Sequence, residues 1–221
     1  MKRYTTVIFD LDGTLLNTLD DLADSVNYAL SSCGLPERSI DEVRNFVGNG
    51  VRRLMFRAVP GGEQNPVFER AFSCFKEHYL HNSVNKTCPY EGIMALLAKL
   101  KRYGIAMAVV SNKLDAAVND LNRRFFADFI SVAIGDRENF RRKPAPDSVL
   151  EALRMLGKTA EESVYIGDSE VDIETARNAG IDCISVSWGF REEKILRDSG
   201  AVRIAHTPEE LGNMLIPSTQ Q

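Results

Sequence analysis

The chain has 221 residues, and its 27 basic and 31 acidic side chains leave a formal net charge of −4 at pH 7. This mild acidity does not provide the positive surface that binds nucleic acid or an anionic membrane. The sequence has no apolar run long enough to span a membrane, and its N-terminal segment lacks the cleavage site of a secretory signal. We therefore expect a globular, cytoplasmic protein without a nucleic acid or membrane partner.

The first third of the chain changes from a strand pattern to helical patterns. Residues Thr5 to Phe9 form a β-branched and aromatic run, which predicts a buried strand. Apolar residues then recur at helical spacing, and Ser39 to Glu42 has the pattern of a capping box. Asn65 precedes a proline, which predicts the start of a longer helix that ends near Leu80. Residues 18–82 are therefore expected to be helical, without a strand.

After Pro89, strand and helix patterns alternate along the chain. Strands are predicted at 105–110, 129–134, 163–166, 183–186 and 202–205, and helices are predicted between them. This alternation indicates an α/β fold with a doubly wound, Rossmann-like parallel sheet. We expect a sheet domain of residues 1–16 and 84–221, with residues 17–83 inserted as an all-helical domain.

Polar residues follow the predicted strands at their carboxyl ends, where doubly wound sheets bind their ligands. These residues are Asp10, Asp12, Thr14, Ser111, Asn112, Lys143, Asp168, Ser169 and Asp172. Two acids crowded at the end of an apolar strand repel each other unless a cation or a shared proton compensates. Three carboxylates of this kind suit Mg²⁺, and a lysine with a serine hydroxyl could hold the oxygens of a transferring phosphoryl group.

Each of these motifs also has a purely structural interpretation. An Asp-Gly pair is commonly a turn, and Ser111 could cap the helix that follows it. Lys143 could lie in a surface loop, and Asp172 could serve only the first turn of its helix. A catalytic role is favoured because all the motifs occur in order, each near a predicted strand end.

Taken together, the motifs resemble those of the haloacid dehalogenase superfamily of phosphatases. Residues 10–15 (DLDGTL) resemble the first motif, Ser111 the second, Lys143 with its following proline the third, and residues 167–172 (GDSEVD) the fourth. The helical insertion resembles the small cap domain of that superfamily. The motifs bracket nearly the whole chain.

The resemblance implies a role for each motif residue. Asp10 would be the nucleophile and Asp12 the general acid and base. Mg²⁺ would be held by the side chains of Asp10 and Asp168 and by the backbone carbonyl of Asp12. Ser111 and Lys143 would bind phosphoryl oxygens. Thr14 and Asn112 are assigned to substrate binding, with Thr14 also expected to orient Asp12, and Asp172 and Ser169 are assigned to supporting Lys143 or the metal site.

Within the superfamily, four segments are most similar to phosphoglycolate phosphatases. They are residues 17–35, 47–50, 87–92 and 167–172, although Glu91 stands where a proline is expected. This resemblance implies hydrolysis of 2-phosphoglycolate, a small phosphorylated metabolite, to glycolate and phosphate. The sequence leaves open a broad phosphatase for sugar phosphates or nucleotides, a pyrophosphatase, or a phosphomutase. A phospho-receiver signalling module is a distant alternative, because receivers are about half this length and lack the helical insertion.

Substrate choice is expected to come from the helical insertion, since closure over a generic phosphate site excludes water. The candidates for reading a substrate carboxylate are Gly48, Asn49, Gly50 and Arg52, with Arg53 as a neighbour. Alternatively, these residues form a helix break followed by solvated arginines. For the oligomeric state, we expect a monomer or a weak dimer.

Overall fold

A computed structural model describes residues 4–48, 50–138 and 140–216 of the chain. The chain divides into two compact units. One unit contains the residues up to Leu15 together with those from Pro89 onward, and the other contains Leu16–Cys88.

The secondary structure elements are numbered here in chain order. The strands are β1 Thr6–Phe9, β2 Leu16–Asn17, β3 Cys88–Pro89, β4 Ala106–Leu114, β5 Val132–Asp136, β6 Ser163–Gly167, β7 Asp182–Val186 and β8 Ile204–Ala205. The helices are α1 Leu19–Ser32, α2 Ile40–Phe46, α3 Val51–Ala58, α4 Phe68–Asn82, α5 Ile93–Arg102, α6 Asp115–Phe125, α7 Asp147–Leu156, α8 Glu170–Ala179, α9 Glu193–Asp198 and α10 Pro208–Leu215. A short 3-10 turn lies at Gly62–Gln64.

In the part of the chain that the structure describes, six strands form one sheet in the order β5-β4-β1-β6-β7-β8. All five pairs of neighbouring strands are parallel. The central strands β1 and β6 are buried along their whole length, as expected for apolar strands that helices cover on both faces. The predicted α/β fold with a parallel, doubly wound sheet is confirmed.

The central position of β1 in the sheet determines which strand ends lie next to the residues of the first motif. Phe9 pairs with Val109 of β4 on one side and with Ile166 of β6 on the other. Asp10 follows directly, and its backbone N–H donates to the Ile166 carbonyl at 2.8 Å. The carboxyl ends of β1, β4 and β6 therefore lie side by side, and the residues that follow them are neighbours.

Several element boundaries differ from the prediction. Strand β5 begins at Val132 rather than at residue 129, and β8 is limited to Ile204–Ala205. Strand β4 continues to Leu114 instead of ending at residue 110, because its pairing with β5 resumes at Asp136 after a shift in register. Helix α4 begins at Phe68 rather than directly after Asn65. The Asn65 side chain instead accepts a hydrogen bond from the Val67 N–H at 3.0 Å, so it stabilises the turn before the helix.

The second unit is built around the packing of α1 against α4. Its predicted capping box is present, since the Ser39 hydroxyl accepts from the Glu42 N–H and the Glu42 carboxylate accepts from the Ser39 N–H. The buried carboxylate of Asp21 accepts from the backbone N–H groups of Lys86 and Thr87. These hydrogen bonds connect the C-terminal residues of the second unit to its first helix, α1. Among the described residues, no helix has both the length and the apolar character that crossing a membrane requires.

Candidate active site

The first motif occupies the turn directly after β1. Asp10 is buried, and the glycine at position 13 has a φ of 86°, which an L side chain rarely adopts. A Cβ added at Gly13 would lie 2.4 Å from an oxygen of Asp168. The glycine therefore lets the backbone of the first motif approach the carboxylate of the fourth.

Three buried carboxylates meet at this end of the sheet. Oxygen atoms of Asp10, Asp168 and Asp172 all lie within 4.8 Å of one another. Burial raises the pKa of Asp10 well above its usual range, and the Asp172 and Asp168 charges raise it further against the lowering effect of Lys143. Burial, together with the Asp172 charge, raises the pKa of Asp168 to about 7. Burial and the neighbouring acids therefore both disfavour the charged forms of Asp10 and Asp168.

The ammonium group of Lys143 is the positive charge that enters this cluster. Its Nζ lies 2.9 Å from Asp10 Oδ1 and 2.8 Å from Asp172 Oδ1. Burial lowers the pKa of Lys143, but these two carboxylates outweigh burial, and its pKa lies well above the usual range. Asp172 thus contacts Lys143 directly, and its assignment to supporting Lys143 or the metal site stays a prediction.

The third acceptor of Lys143 is a residue that the sequence analysis did not identify. Lys143 Nζ donates to the Tyr165 hydroxyl at 3.0 Å, and that hydroxyl donates to the Val110 carbonyl at 2.9 Å. Burial raises the pKa of Tyr165 well above its usual value, so the group stays neutral. Because the Tyr165 hydroxyl donates its proton to the Val110 carbonyl, its oxygen accepts from the Lys143 ammonium and fixes the position of the ammonium.

Asp168 is held by two donors from different parts of the chain. The Thr14 hydroxyl donates to one carboxylate oxygen at 3.1 Å, and the Phe190 N–H donates to the other at 2.7 Å. Thr14 was expected to orient Asp12, but its hydroxyl contacts Asp168. In the fourth motif, the Ser169 hydroxyl donates to Asp172 at 2.6 Å, and its supporting role stays a prediction.

For the loop that donates to Asp168, the sequence left open whether Trp188 lines the rim of the site or only packs. A Cβ added at Gly189 would lie 2.3 Å from Asp168 and 2.4 Å from the Gly13 carbonyl oxygen. The Trp188 indole donates to the Thr14 carbonyl at 3.0 Å. A Trp-Gly pair directly after a strand is the only sequence feature that could have indicated this close backbone approach.

The second motif lies within β4. The buried Ser111 hydroxyl accepts from the Lys113 N–H at 3.2 Å. The Asn112 side chain exchanges two hydrogen bonds with the backbone of Lys143, at 2.8 and 3.0 Å. Asn112 therefore positions Lys143 in the structure; its assignment to substrate binding stays a prediction.

Lys113 places a second ammonium group in the site. Its Nζ lies 2.8 Å from Asp12 Oδ1, and the side chains of Lys113 and Asp12 are 4% and 18% exposed. The pair joins the first motif to the second. Lys113 was not singled out from the sequence, since a single lysine in a polar segment has no distinguishing pattern.

The candidates in the helical unit have partners within that unit. Arg52 forms ion pairs with Glu63 at 2.8 Å and Glu69 at 2.6 Å. Gly48 and Gly50 both have positive φ values, and Gly50 precedes α3. Asn49 lies outside the described residues. The assignment of these residues to substrate binding stays a prediction.

The donor set of the cluster fits a divalent cation. The buried Oδ1 of Asp10 receives no aligned hydrogen bond; the Lys143 ammonium contacts it as an ion pair only. Carboxylate oxygens are the ligands that Mg²⁺ prefers. Burial and the neighbouring acids raise the pKa values of Asp10 and Asp168, and a bound cation would oppose both effects. Asp10 and Asp168 are thus suited to hold such an ion.

A comparison with known families shows the family to which the chain belongs. A family model described as haloacid dehalogenase-like hydrolase matches residues 7–186, which include all four motifs. The chain belongs to the haloacid dehalogenase-like hydrolases. This finding confirms the predicted superfamily and the prediction that the chain is an enzyme.

Within the haloacid dehalogenase-like hydrolases, the chain is similar to proteins named phosphoglycolate phosphatase. The chain is 32% identical over 206 residues to a phosphoglycolate phosphatase of Mesorhizobium japonicum, with 90% of each chain covered. It is 35% identical over 188 residues to a phosphoglycolate phosphatase of Aquifex aeolicus, with 83% and 85% covered. A solved structure from Lactobacillus delbrueckii subsp. bulgaricus, provisionally assigned as a phosphoglycolate phosphatase, matches with a TM-score of 0.94 and 35% identity. That match covers 98% of this chain and 100% of the other.

The raised pKa values predict how pH and magnesium affect stability. An acid whose folded pKa is raised binds protons more tightly when folded, so its contribution to stability falls as pH rises through the interval between the two values. For Asp168 this interval runs from 3.8 to about 7. The melting temperature in EDTA should therefore fall between pH 5.5 and 7.5, and added Mg²⁺ should raise it more at pH 7.5 than at pH 5.5.

Thermal unfolding at three pH values, with EDTA or Mg²⁺, measures both effects. Asp168→Asn should show a weaker dependence on pH and a smaller increase with Mg²⁺. A wild-type melting temperature that rises with pH in EDTA would contradict the prediction.

Proposed function

We propose that the protein is a Mg²⁺-dependent phosphatase that hydrolyses a small phosphomonoester, with 2-phosphoglycolate as its substrate. The observation that carries this proposal is the buried cluster of Asp10, Asp168 and Asp172 around the Lys143 ammonium. The cluster places a nucleophilic carboxylate, Asp10, next to the position where a divalent cation and a phosphate group would bind together.

In the proposed first step, an oxygen of Asp10 attacks phosphorus in line with the leaving oxygen. A bond forms between this oxygen and phosphorus while the bond from phosphorus to the alkoxide breaks, which gives an aspartyl-phosphate. Asp12, two residues further on, gives its proton to the leaving oxygen.

In the second step, Asp12 takes a proton from water, and the water oxygen attacks phosphorus. The bond to Asp10 breaks, so that its carboxylate is regenerated and inorganic phosphate is released. Asp12 ends this step protonated, as it was before the first. One residue thus serves as acid and then as base.

The residues around Asp10 lower the cost of bringing a carboxylate to a phosphate dianion. When bound, Mg²⁺ would neutralise part of the charge on the phosphoryl oxygens; Asp10, Asp168 and the Asp12 carbonyl are the proposed ligands. Lys143 lowers the pKa of Asp10, against the effect of burial, and orients its carboxylate. The Ser111 hydroxyl is proposed to bind a phosphoryl oxygen.

Phosphoglycolate is favoured as the substrate by the relatives in two distant bacteria that carry this name at 32% and 35% identity. The cytoplasm is the proposed location, and the free thiols of Cys33, Cys74, Cys88 and Cys183 support a reducing compartment. A broad phosphatase for sugar phosphates or nucleotides is the alternative.

The test is a panel of kcat/KM values measured with Mg²⁺ on phosphoglycolate, sugar phosphates, nucleotides and pyrophosphate. We expect phosphoglycolate to exceed the next best substrate by more than tenfold, which corresponds to ~1.4 kcal/mol of transition-state discrimination. A smaller ratio would favour the broad phosphatase, and the absence of turnover on every phosphate compound would reject the phosphatase.

A further inference from the structure

Lys113 is a buried ammonium group that the proposed reaction steps do not use. The residue is 6% exposed, and its Nζ lies 2.8 Å from Asp12 Oδ1. A buried lysine is costly unless its charge is compensated, so its position next to the proposed acid and base requires a reason.

The reaction itself requires this ion pair to change. An oxygen of Asp12 must come within hydrogen-bond distance of the leaving oxygen, about 2.7 Å. The Lys113 ammonium holds one of the two Asp12 oxygens at a similar distance. An anionic group of the substrate that bound Lys113 would release this oxygen for the leaving group.

The geometry of a glycolate leaving group matches this arrangement. Its carboxylate is attached to the carbon that carries the leaving oxygen, so the two are separated by only two bonds. When the leaving oxygen contacts Asp12, the carboxylate lies next to it, within reach of a cation that itself contacts Asp12.

Neighbouring cations contact other acids than Asp12. Lys143 donates to Asp172 and Tyr165 and contacts the nucleophile. Arg191 is paired with Glu170 at 3.0 Å. Of these three cations, Lys113 is the one that contacts the proposed acid and base, Asp12.

We propose that Lys113 is a specificity-determining residue that binds a carboxylate attached next to the leaving oxygen of the substrate. The substrate carboxylate takes the place of Asp12 as the partner of Lys113. The released Asp12 carboxylate takes up a proton from solvent and turns to the leaving oxygen, to which it gives this proton. Selectivity for anionic substrates thus arises in the sheet unit. This inference rests on the proposed function, since it assigns a binding residue to the part of the substrate that the phosphate site does not contact.

The test compares two substrates of matched size, phosphoglycolate and ethyl phosphate, in the wild type and in Lys113→Met. We expect the variant to lose about 100-fold in kcat/KM on phosphoglycolate, which corresponds to about 2.7 kcal/mol. The loss on ethyl phosphate should be less than about fivefold. Lys194→Met is the control of equal charge, because Lys194 is exposed and pairs only within its own helix.

Binding of phosphonates separates recognition from turnover. In 3-phosphonopropionate and propylphosphonate, carbon replaces the leaving oxygen, so neither is hydrolysed. Calorimetry with Mg²⁺ should show tighter binding of the carboxylate compound to the wild type, and Lys113→Met should remove the difference. Lys113→Gln, which keeps a donor for Asp12 without the charge, is used if the methionine variant does not fold.

The possible outcomes distinguish the two proposals. Equal losses on both substrates would mean that Lys113 serves only Asp12, and this would overturn the inference. A wild type that hydrolyses both substrates and binds both phosphonates equally would also overturn it, while the phosphatase would stand. A wild type that hydrolyses neither substrate but binds 3-phosphonopropionate through Lys113 would support the inference and reject the proposed function.

Discussion

Asp10→Asn should abolish Mg²⁺-dependent hydrolysis of phosphoglycolate and of an aryl phosphate, with a loss of kcat of roughly 10⁴-fold or more. The amide cannot attack phosphorus to form the acyl phosphate, so the first chemical step is lost. The fold should survive, because the amide is of similar size and removes a carboxylate whose pKa is raised by burial and by two neighbouring acids. Steady-state kinetics together with circular dichroism measures both.

The matched control for this variant is Asp198→Asn, which neutralises an exposed acid of α9. Its turnover should equal that of the wild type. A second check is phosphate incorporation: the wild type quenched in acid during turnover should carry phosphate on Asp10, and the variant should not. Turnover of Asp10→Asn close to the wild-type rate would reject Asp10 as the nucleophile.

The sheet was predictable from the sequence because its strands are buried on both faces. Burial on both faces produces continuous apolar runs such as residues 5–9, which are distinct from the helical spacing around them. The end of β4 was not predictable, since the apolar run stops at Val110 while the strand continues through polar residues. There, pairing with β5 extends the strand, and such a contact between distant segments leaves no local pattern.

In the site, the sequence identified the residues that stand at strand ends. Asp10, Asp168 and Asp172 are brought together as carboxylates, and Lys143 joins them. Tyr165 was missed because an aromatic residue within an apolar strand indicates core packing. Its role comes from a hydroxyl that reaches across the sheet to the Val110 carbonyl, which only the order of the strands reveals.

The second large effect is expected for Lys143→Met. This substitution leaves Asp10 and Asp172 buried without the ammonium that lies 2.9 and 2.8 Å from them. Removing one partner of a buried ion pair costs about 3–5 kcal/mol of unfolding free energy. We expect a loss of this size in EDTA at pH 7.5, together with the loss of turnover. Urea unfolding and steady-state kinetics measure the two effects.

Changes to the carboxylates show whether the loss of unfolding free energy in Lys143→Met comes from electrostatics or from lost packing. Without Lys143 the folded protein binds protons more tightly, so lowering the pH to 5.5 should restore part of the stability, as should adding Asp172→Asn. Activity should not return with stability, because the ammonium also orients Asp10. If neither change restored stability, the loss would come from the packing of the lysine stem. Lys194→Met, which removes an exposed lysine, should unfold at the same urea concentration as the wild type.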